Sequence, residues 1–194
     1  MSEEKVVYPF TILDCHPVEE DGKWCIVKND GERLTDPIFN SIRFREVDGI
    51  RMLGSDDKWI LLSNDGKLIP SPVYESIDFF SPGMAIVKLQ GKYGLVKDDG
   101  TVILPAEYSL IMDFKDRISE EDGLCKISKR GIDDGKVIVK QGYINKKGEI
   151  VIEPVYDFLG RFDNGIAKVL FNDEEGYINM KGELFKDADL RIKW

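Results

Sequence analysis

Histidine is nearly missing from this sequence, and that scarcity narrows the chemistry first. One histidine, His16, in 194 residues leaves no multi-histidine metal site, and any Ser-His-Asp or Cys-His device would depend on that imidazole alone. The adjacent Cys15 adds little, because neighbours in an extended chain point to opposite faces. Cysteine is also sparse: Cys15, Cys25 and Cys125 form no CxxC pair, and three thiols fit a reducing compartment better than a closed disulfide framework. There is no GxxxxGK[ST] or GxGxxG phosphate loop, and the Asp-Gly turns lack the alternating ligands and distal glutamate of an EF-hand. No catalytic, cofactor-binding or metal-ligating residue is therefore expected. Cationic charge is short as well, with 27 Lys and Arg against 36 Asp and Glu for a net −9. That balance argues against gripping nucleic acid or an anionic membrane. No run approaches the roughly 18–20 apolar residues of a membrane span. The N-terminus carries Glu3 and Glu4 where a signal peptide needs bases, and Pro9 breaks its apolar run from Val6 to Leu13. The expectation is a cytoplasmic protein.

What the sequence does have is a period. Apolar residues make up 42% of the chain and glycine numbers 18, an ordinary globular composition. Five polar-glycine turns recur at Asn29-Asp30-Gly31, Asn64-Asp65-Gly66, Asp98-Asp99-Gly100, Lys146-Lys147-Gly148 and Met180-Lys181-Gly182, with glycine intervals of 35, 34, 48 and 34. Asp-Gly between apolar runs signals a hairpin with a tight two-residue turn, so five hairpins are expected. Other columns keep step. Seven residues before the glycine stand Trp24, Trp59, Tyr93, Gln141 and Glu175; eight after it come Phe39, Tyr74, Tyr108 and Tyr156, each preceded by a proline. Ile42, Ile77, Ile111 or Leu159 follows at eleven, and Phe44, Phe80, Phe114 or Phe162 at thirteen to fourteen. A glycine and a short apolar strand close each unit, as in Gly83-Met84-Ala85-Ile86-Val87.

These columns resemble the WG-repeat family of bacterial proteins, whose units carry an aromatic-glycine pair, a branched-aliphatic strand, a polar-glycine turn and a proline-aromatic-aspartate segment. The fullest matches are Lys92-Tyr93-Gly94-Leu95-Val96 through Pro105 and Tyr108, and Gly142-Tyr143-Ile144 through Pro154-Val155-Tyr156-Asp157. Cys25 and Ile60 replace the glycine of the pair, and Gln141 and Glu175 replace its aromatic. The resemblance implies a repeat fold with no established enzymatic activity.

Strand signals dominate, and no window sustains helical spacing over three turns. The three-residue spacing of Tyr74, Ile77 and Phe80, or of Tyr156, Leu159 and Phe162, admits one short helical turn. The expected fold is all-β: tandem β-hairpin repeats of about 34 residues, each with roughly three strands, in an open curved array, with a closed propeller-like ring as the alternative. Residues 1–21 form an acidic segment with a capping strand, 22–187 five repeats, and 188–194 an edge strand. The 48-residue interval holds fourteen extra residues, six between Phe114 and Gly123 and eight between Ile127 and Gly142. The second lot reads as a lengthened hairpin around Lys129-Arg130-Gly131-Ile132-Asp133-Asp134-Gly135, inside an insertion spanning 115–140.

Such arrays present extended binding surfaces. The leading expectation is a non-enzymatic protein-binding or scaffold module with a protein partner, in one version an inhibitor or immunity-type protein masking a basic partner. The insertion, with Lys129, Arg130, Asp133 and Asp134, is the expected contact. A second reading takes Trp24, Trp59 and Tyr93 as an aromatic column reading carbohydrate or peptide, and a third a carboxylate hydrolase. The basic-partner idea rests mainly on residues 1–21, which hold one Lys against six Asp or Glu.

Overall fold

The computed structural model describes residues 15–47, 50–63, 67–112 and 123–185. The capping strand expected at 6–13, the first insertion and the C-terminal strand expected at 190–194 lie outside them. Every element among the described residues is a strand. In chain order the sheets are β1 (Cys15–Glu20) with β2 (Lys23–Lys28); β3 (Arg43–Val47), β4 (Ile50–Ser55) and β5 (Lys58–Leu62); β6 (Ser76–Ser81), β7 (Met84–Leu89), β8 (Lys92–Lys97) and β9 (Val102–Tyr108); β10 (Leu110–Ile111), β11 (Leu124–Asp133), β12 (Lys136–Asn145) and β13 (Ile150–Tyr156); and β14 (Phe158–Asp163), β15 (Ile166–Phe171), β16 (Glu174–Asn179) and β17 (Leu184–Phe185). Strands follow each other in sequence order within each sheet, and no sheet closes on itself. The chain is thus all-β and built of tandem hairpin repeats. The complete repeats hold four strands rather than three, because the segment after each polar-glycine turn returns as a strand of its own.

The chain divides into two compact units, Met1–Gly91 with Leu95–Val102, and Lys92–Gly94 with Ile103–Trp194. In the first, one core gathers Ile26, Phe39, Leu53 and Ile60, and another Met52, Trp59, Leu61 and Tyr74. In the second, Tyr143, Ile152, Leu159, Val169 and Ile178 form the core. Each fully buried Leu or Ile contributes about 1.5–3 kcal/mol, more than any surface ion pair. The three cysteines are free and buried.

No helical turn forms at Tyr74–Phe80 or Tyr156–Phe162; both regions enter strands. The three-residue spacing comes from a β-bulge, which inserts one residue and so returns Phe80 and Phe162 to the buried side. Ile42 and Phe44 are spaced by two, and there the register runs unbroken from Arg43↔Gly54 to Val47↔Ile50. The thirteen-versus-fourteen offset in the sequence is the presence or absence of that bulge.

The polar-glycine turns at Gly31, Gly100, Gly148 and Gly182 are hairpins, but not two-residue ones, and the turn expected at Asn64-Asp65-Gly66 lies outside the described residues. Asn145 N donates to Glu149 O at 3.0 Å and Gly148 N to Asn145 O at 2.9 Å, with Gly148 at φ 78°: a type I turn closed by a left-handed glycine. Asn179 and Gly182 repeat the pattern. The Asn145 side chain fastens the turn by accepting from Lys147 N at 2.9 Å and Glu149 N at 3.1 Å. Tight two-residue turns stand instead at the other end of the hairpins, as at Asp134-Gly135, where φ is 45° and 73°.

The glycine after the repeat aromatic has a different task. A Cβ on Gly94 would stand 2.7 Å from Leu104 O and 2.9 Å from Ala106 N, and one on Gly142 would collide with the backbone of β13. With glycine there, the returning chain lies flat as the seven-residue strands β9 and β13. Over Cys25 and Ile60 it cannot. The returning chain there pairs with the sheet as isolated bridges rather than a strand, Trp24↔Phe39 and Val27↔Arg33 in one repeat, Trp59↔Tyr74 and Leu62↔Leu68 in the next, and arches between them.

Candidate functional site

The insertion builds the most distinctive surface of the second unit. Strands β11 and β12 pair across all ten positions, from Leu124↔Asn145 to Asp133↔Lys136. Their neighbours cover only the inner half: β10 pairs no further than Leu110↔Ser128, and β13 no further than Gln141↔Tyr156. Among the described residues, the outer half is a two-stranded ribbon with both edges open. Ser128 O accepts the Ser109 N–H at 2.8 Å, so even-numbered residues of β11 direct their backbone groups outward. The alternation therefore turns the N–H and C=O of Arg130, Ile132, Val137 and Val139 toward the open edges. Their side chains share one face, where Ile132 is 78% and Val137 64% exposed.

A collar of four charges holds the foot of the ribbon. Lys129 and Lys140 stand directly opposite each other, and each is neutralised by an acid from a flanking segment: Glu107 Oε1 lies 2.7 Å from Lys129 Nζ, and Asp157 Oδ1 2.6 Å from Lys140 Nζ. The hydrogen bond to Glu107 raises the Lys129 ammonium above its ordinary range, and Lys129 also sits 4.8 Å over the Tyr108 ring. The hydrogen bond from Lys140 holds the Asp157 carboxyl below its ordinary range, and Asp157 Oδ2 accepts from Asn172 N at 3.1 Å. Lys129, expected as a partner contact, has its charge already matched within the chain. Arg130, Asp133 and Asp134 are exposed at the tip, as an accessible contact requires.

Just inside the collar, Lys126 Nζ donates to Leu159 O at 2.5 Å and lies 3.4 Å from Gln141 Oε1, which accepts from Leu159 N at 3.0 Å. A polar side chain thus fills the aromatic's place in this repeat by tying down the backbone of β14. Burial pushes the Lys126 ammonium below its ordinary 10.5, and Arg161 adds repulsion. Between the lowered folded value and 10.5 the unfolded chain holds more protons, so this residue's contribution to stability rises with pH across that window. In a lysine-labelled NMR titration Lys126 should deprotonate first and Lys129 well after it; Lys126 titrating with or after Lys129 would contradict this packing.

The aromatic column is placed otherwise than an exposed ladder requires. Trp59 is 7% exposed, donates Nε1–H to Asp56 O at 3.0 Å, and carries Arg45 5.3 Å from its ring centroid. Trp24 is half-buried against the neighbouring core, and Tyr93 is half-buried. Trp59 is core because large aromatics at a fixed strand position pay most in stability when packed between layers. Sequence reasoning missed Glu107, Lys140, Asp157 and the exposed Val137. The alternating Lys136-Val137-Ile138-Val139-Lys140 within an eight-residue surplus was the available signal for the last.

The repeat columns also match a known family. The family described as WG containing repeat covers residues 61–93, 93–116 and 142–174. Those stretches of the chain are WG repeats. The last matched stretch takes in β12 from Gly142 onward, so the ribbon tip is an elaboration on WG-repeat architecture rather than part of it. No curated protein matches the chain. Among solved structures, a eukaryotic initiation factor is 9% identical over 88% of this chain and 52% of its own, with a TM-score of 0.31. A protein of unknown function from Bacteroides caccae is 11% identical over 88% and 76%, at 0.24, and Hsv2 of Kluyveromyces lactis 12% identical over 89% and 59%, at 0.27. The chain spans about half the length of the initiation factor it is similar to.

Proposed function

We propose that this chain is a non-enzymatic protein-binding module that takes an extended segment of a partner protein along the open ribbon of β11 and β12. The observation that carries the reading is the pairing itself: ten residues of each strand bond to one another while both outer edges stay unpaired over the last five. An open edge offers backbone groups to an incoming strand, and side-chain pockets set its sequence. Ile132, Val137 and Val139 supply the apolar face. With Lys129 and Lys140 matched by Glu107 and Asp157, Arg130 and Lys136 balance Asp133 and Asp134 over the outer ribbon, so the apolar face and the open edges carry the recognition.

The test replaces residues 130–139 by an Asn-Gly turn, which leaves the collar in place, and separately introduces Val137→Lys. Both proteins should melt as the parent does. A partner captured by the parent and cross-linked at Lys136 should be lost from the shortened ribbon and weakened at least about tenfold by Val137→Lys. Undiminished capture by the shortened ribbon would overturn the reading.

A further inference from the structure

The repeats that lack the WG glycine enclose a cavity in the first unit. Because Cys25 and Ile60 hold the returning chain off the sheet, the arches over 34–38 and 68–73 stand apart, and between them lies a space of about 430 Å³. That volume falls within the usual range for small-ligand sites, about 300–1,000 Å³. Its walls are aliphatic, chiefly Leu34, Ile38, Ile60, Leu68, Ile69 and Val73. One polar group of the lining stands unused. Ser71 Oγ has no hydrogen-bond partner, but it is sealed even from water and so lies out of a ligand's reach. Asp36 lines the same space with an exposed carboxylate that makes no direct ion pair, since the nearby Arg33 is held by Glu20 at 2.5 Å. Thr35, by contrast, is committed, its Oγ1 accepting the Ile26 N–H at 3.0 Å.

We infer that this cavity binds a small primary amine with an apolar body, the aliphatic walls taking the hydrocarbon and the ammonium donating to the Asp36 carboxylate. That carboxylate is the one charge of the lining, and a carboxylate ligand would meet like charge there. The site is independent of the ribbon in the second unit, and its ligand is a small molecule rather than a strand.

The probes are phenethylamine, 2-phenylethanol and phenylacetate, which share a body and differ in the charged end. Each is titrated into the full chain and followed by amide NMR. Phenethylamine should give saturable shifts at Ile60, Ser71 and Val73 and bind about tenfold more tightly than the alcohol, with phenylacetate weakest. Asp36→Asn, an exposed change that leaves the fold intact, should remove the preference for amine over alcohol while sparing alcohol binding. Equal binding of all three probes, shifts located elsewhere, or an undiminished amine preference in Asp36→Asn would each overturn the inference. Shortening the ribbon should leave this binding unchanged.

Discussion

Gly142→Ala should cost the fold about 3 kcal/mol, and in a chain of this size lower Tm by roughly 6–12 °C. A Cβ at this position collides with Ile152 O and stands 2.7 Å from Pro154 N and 2.9 Å from Glu153 C. These are backbone atoms, so no side-chain rotation relieves the contact. The residue's own φ is not left-handed, which makes the cost steric rather than conformational. The pairing of β12 with β13 is already irregular there, with a register shift between Gln141 and Tyr143, and has little slack to absorb a further displacement. Cys25 and Ile60 show the outcome when a side chain occupies the equivalent place: the returning strand lifts and keeps only isolated bridges. Alanine at 142 would push β13 toward that arrangement and take Ile152 out of a core built to receive it. Gly131→Ala is the internal control, because the nearest atom is Ile138 Cγ1 at 3.5 Å, an ordinary contact. It should change stability by less than about 0.5 kcal/mol. A Gly142→Ala melt within 2 °C of the parent's, taking ~1 kcal/mol as the least that a clash of this kind implies, would refute the steric account.

Phe39→Ala should destabilise the first unit by about 3–5 kcal/mol, read by urea unfolding. The ring is fully buried, in one core with Ile26, Leu53 and Ile60. Its backbone exchanges both hydrogen bonds with Trp24, at 2.8 and 3.1 Å, and this is one of the two bridges by which the arch pairs with the sheet. Truncation therefore removes transfer energy, opens a cavity and loosens an attachment that the arched segment cannot replace. Phe39→Leu keeps most of the volume and should cost less than about 1.5 kcal/mol. A loss below 1 kcal/mol for alanine, about the scale of a surface change, would mean that the arch is held elsewhere.

Much of this architecture is readable from residue types. The glycine period gives the hairpins, the Ile77–Phe80 and Ile42–Phe44 spacings carry the bulge, and the surplus between Ile127 and Gly142 gives the ribbon. Turn type was not readable. A polar-glycine pair serves equally as a two-residue turn or as the close of a three-residue one, and the choice lies in where the flanking strands pair. The charge collar was hidden because Glu107 and Asp157 are distant in sequence from Lys129 and Lys140, and only the register joins them. The cavity was half legible: the missing glycines at Cys25 and Ile60 were plain, but that two adjacent arches would leave space rather than collapse depends on backbone geometry.

The open edge of β12 reads the same in both directions, Lys136-Val137-Ile138-Val139-Lys140. Two copies meeting antiparallel about Ile138 would set Lys136 of one against Lys140 of the other at both ends, where directly opposed like charges destabilise a strand pair. A palindrome of this charge pattern repels its own image, so the edge stays open to a foreign strand while resisting the fibre-like self-pairing that exposed apolar ribbons invite.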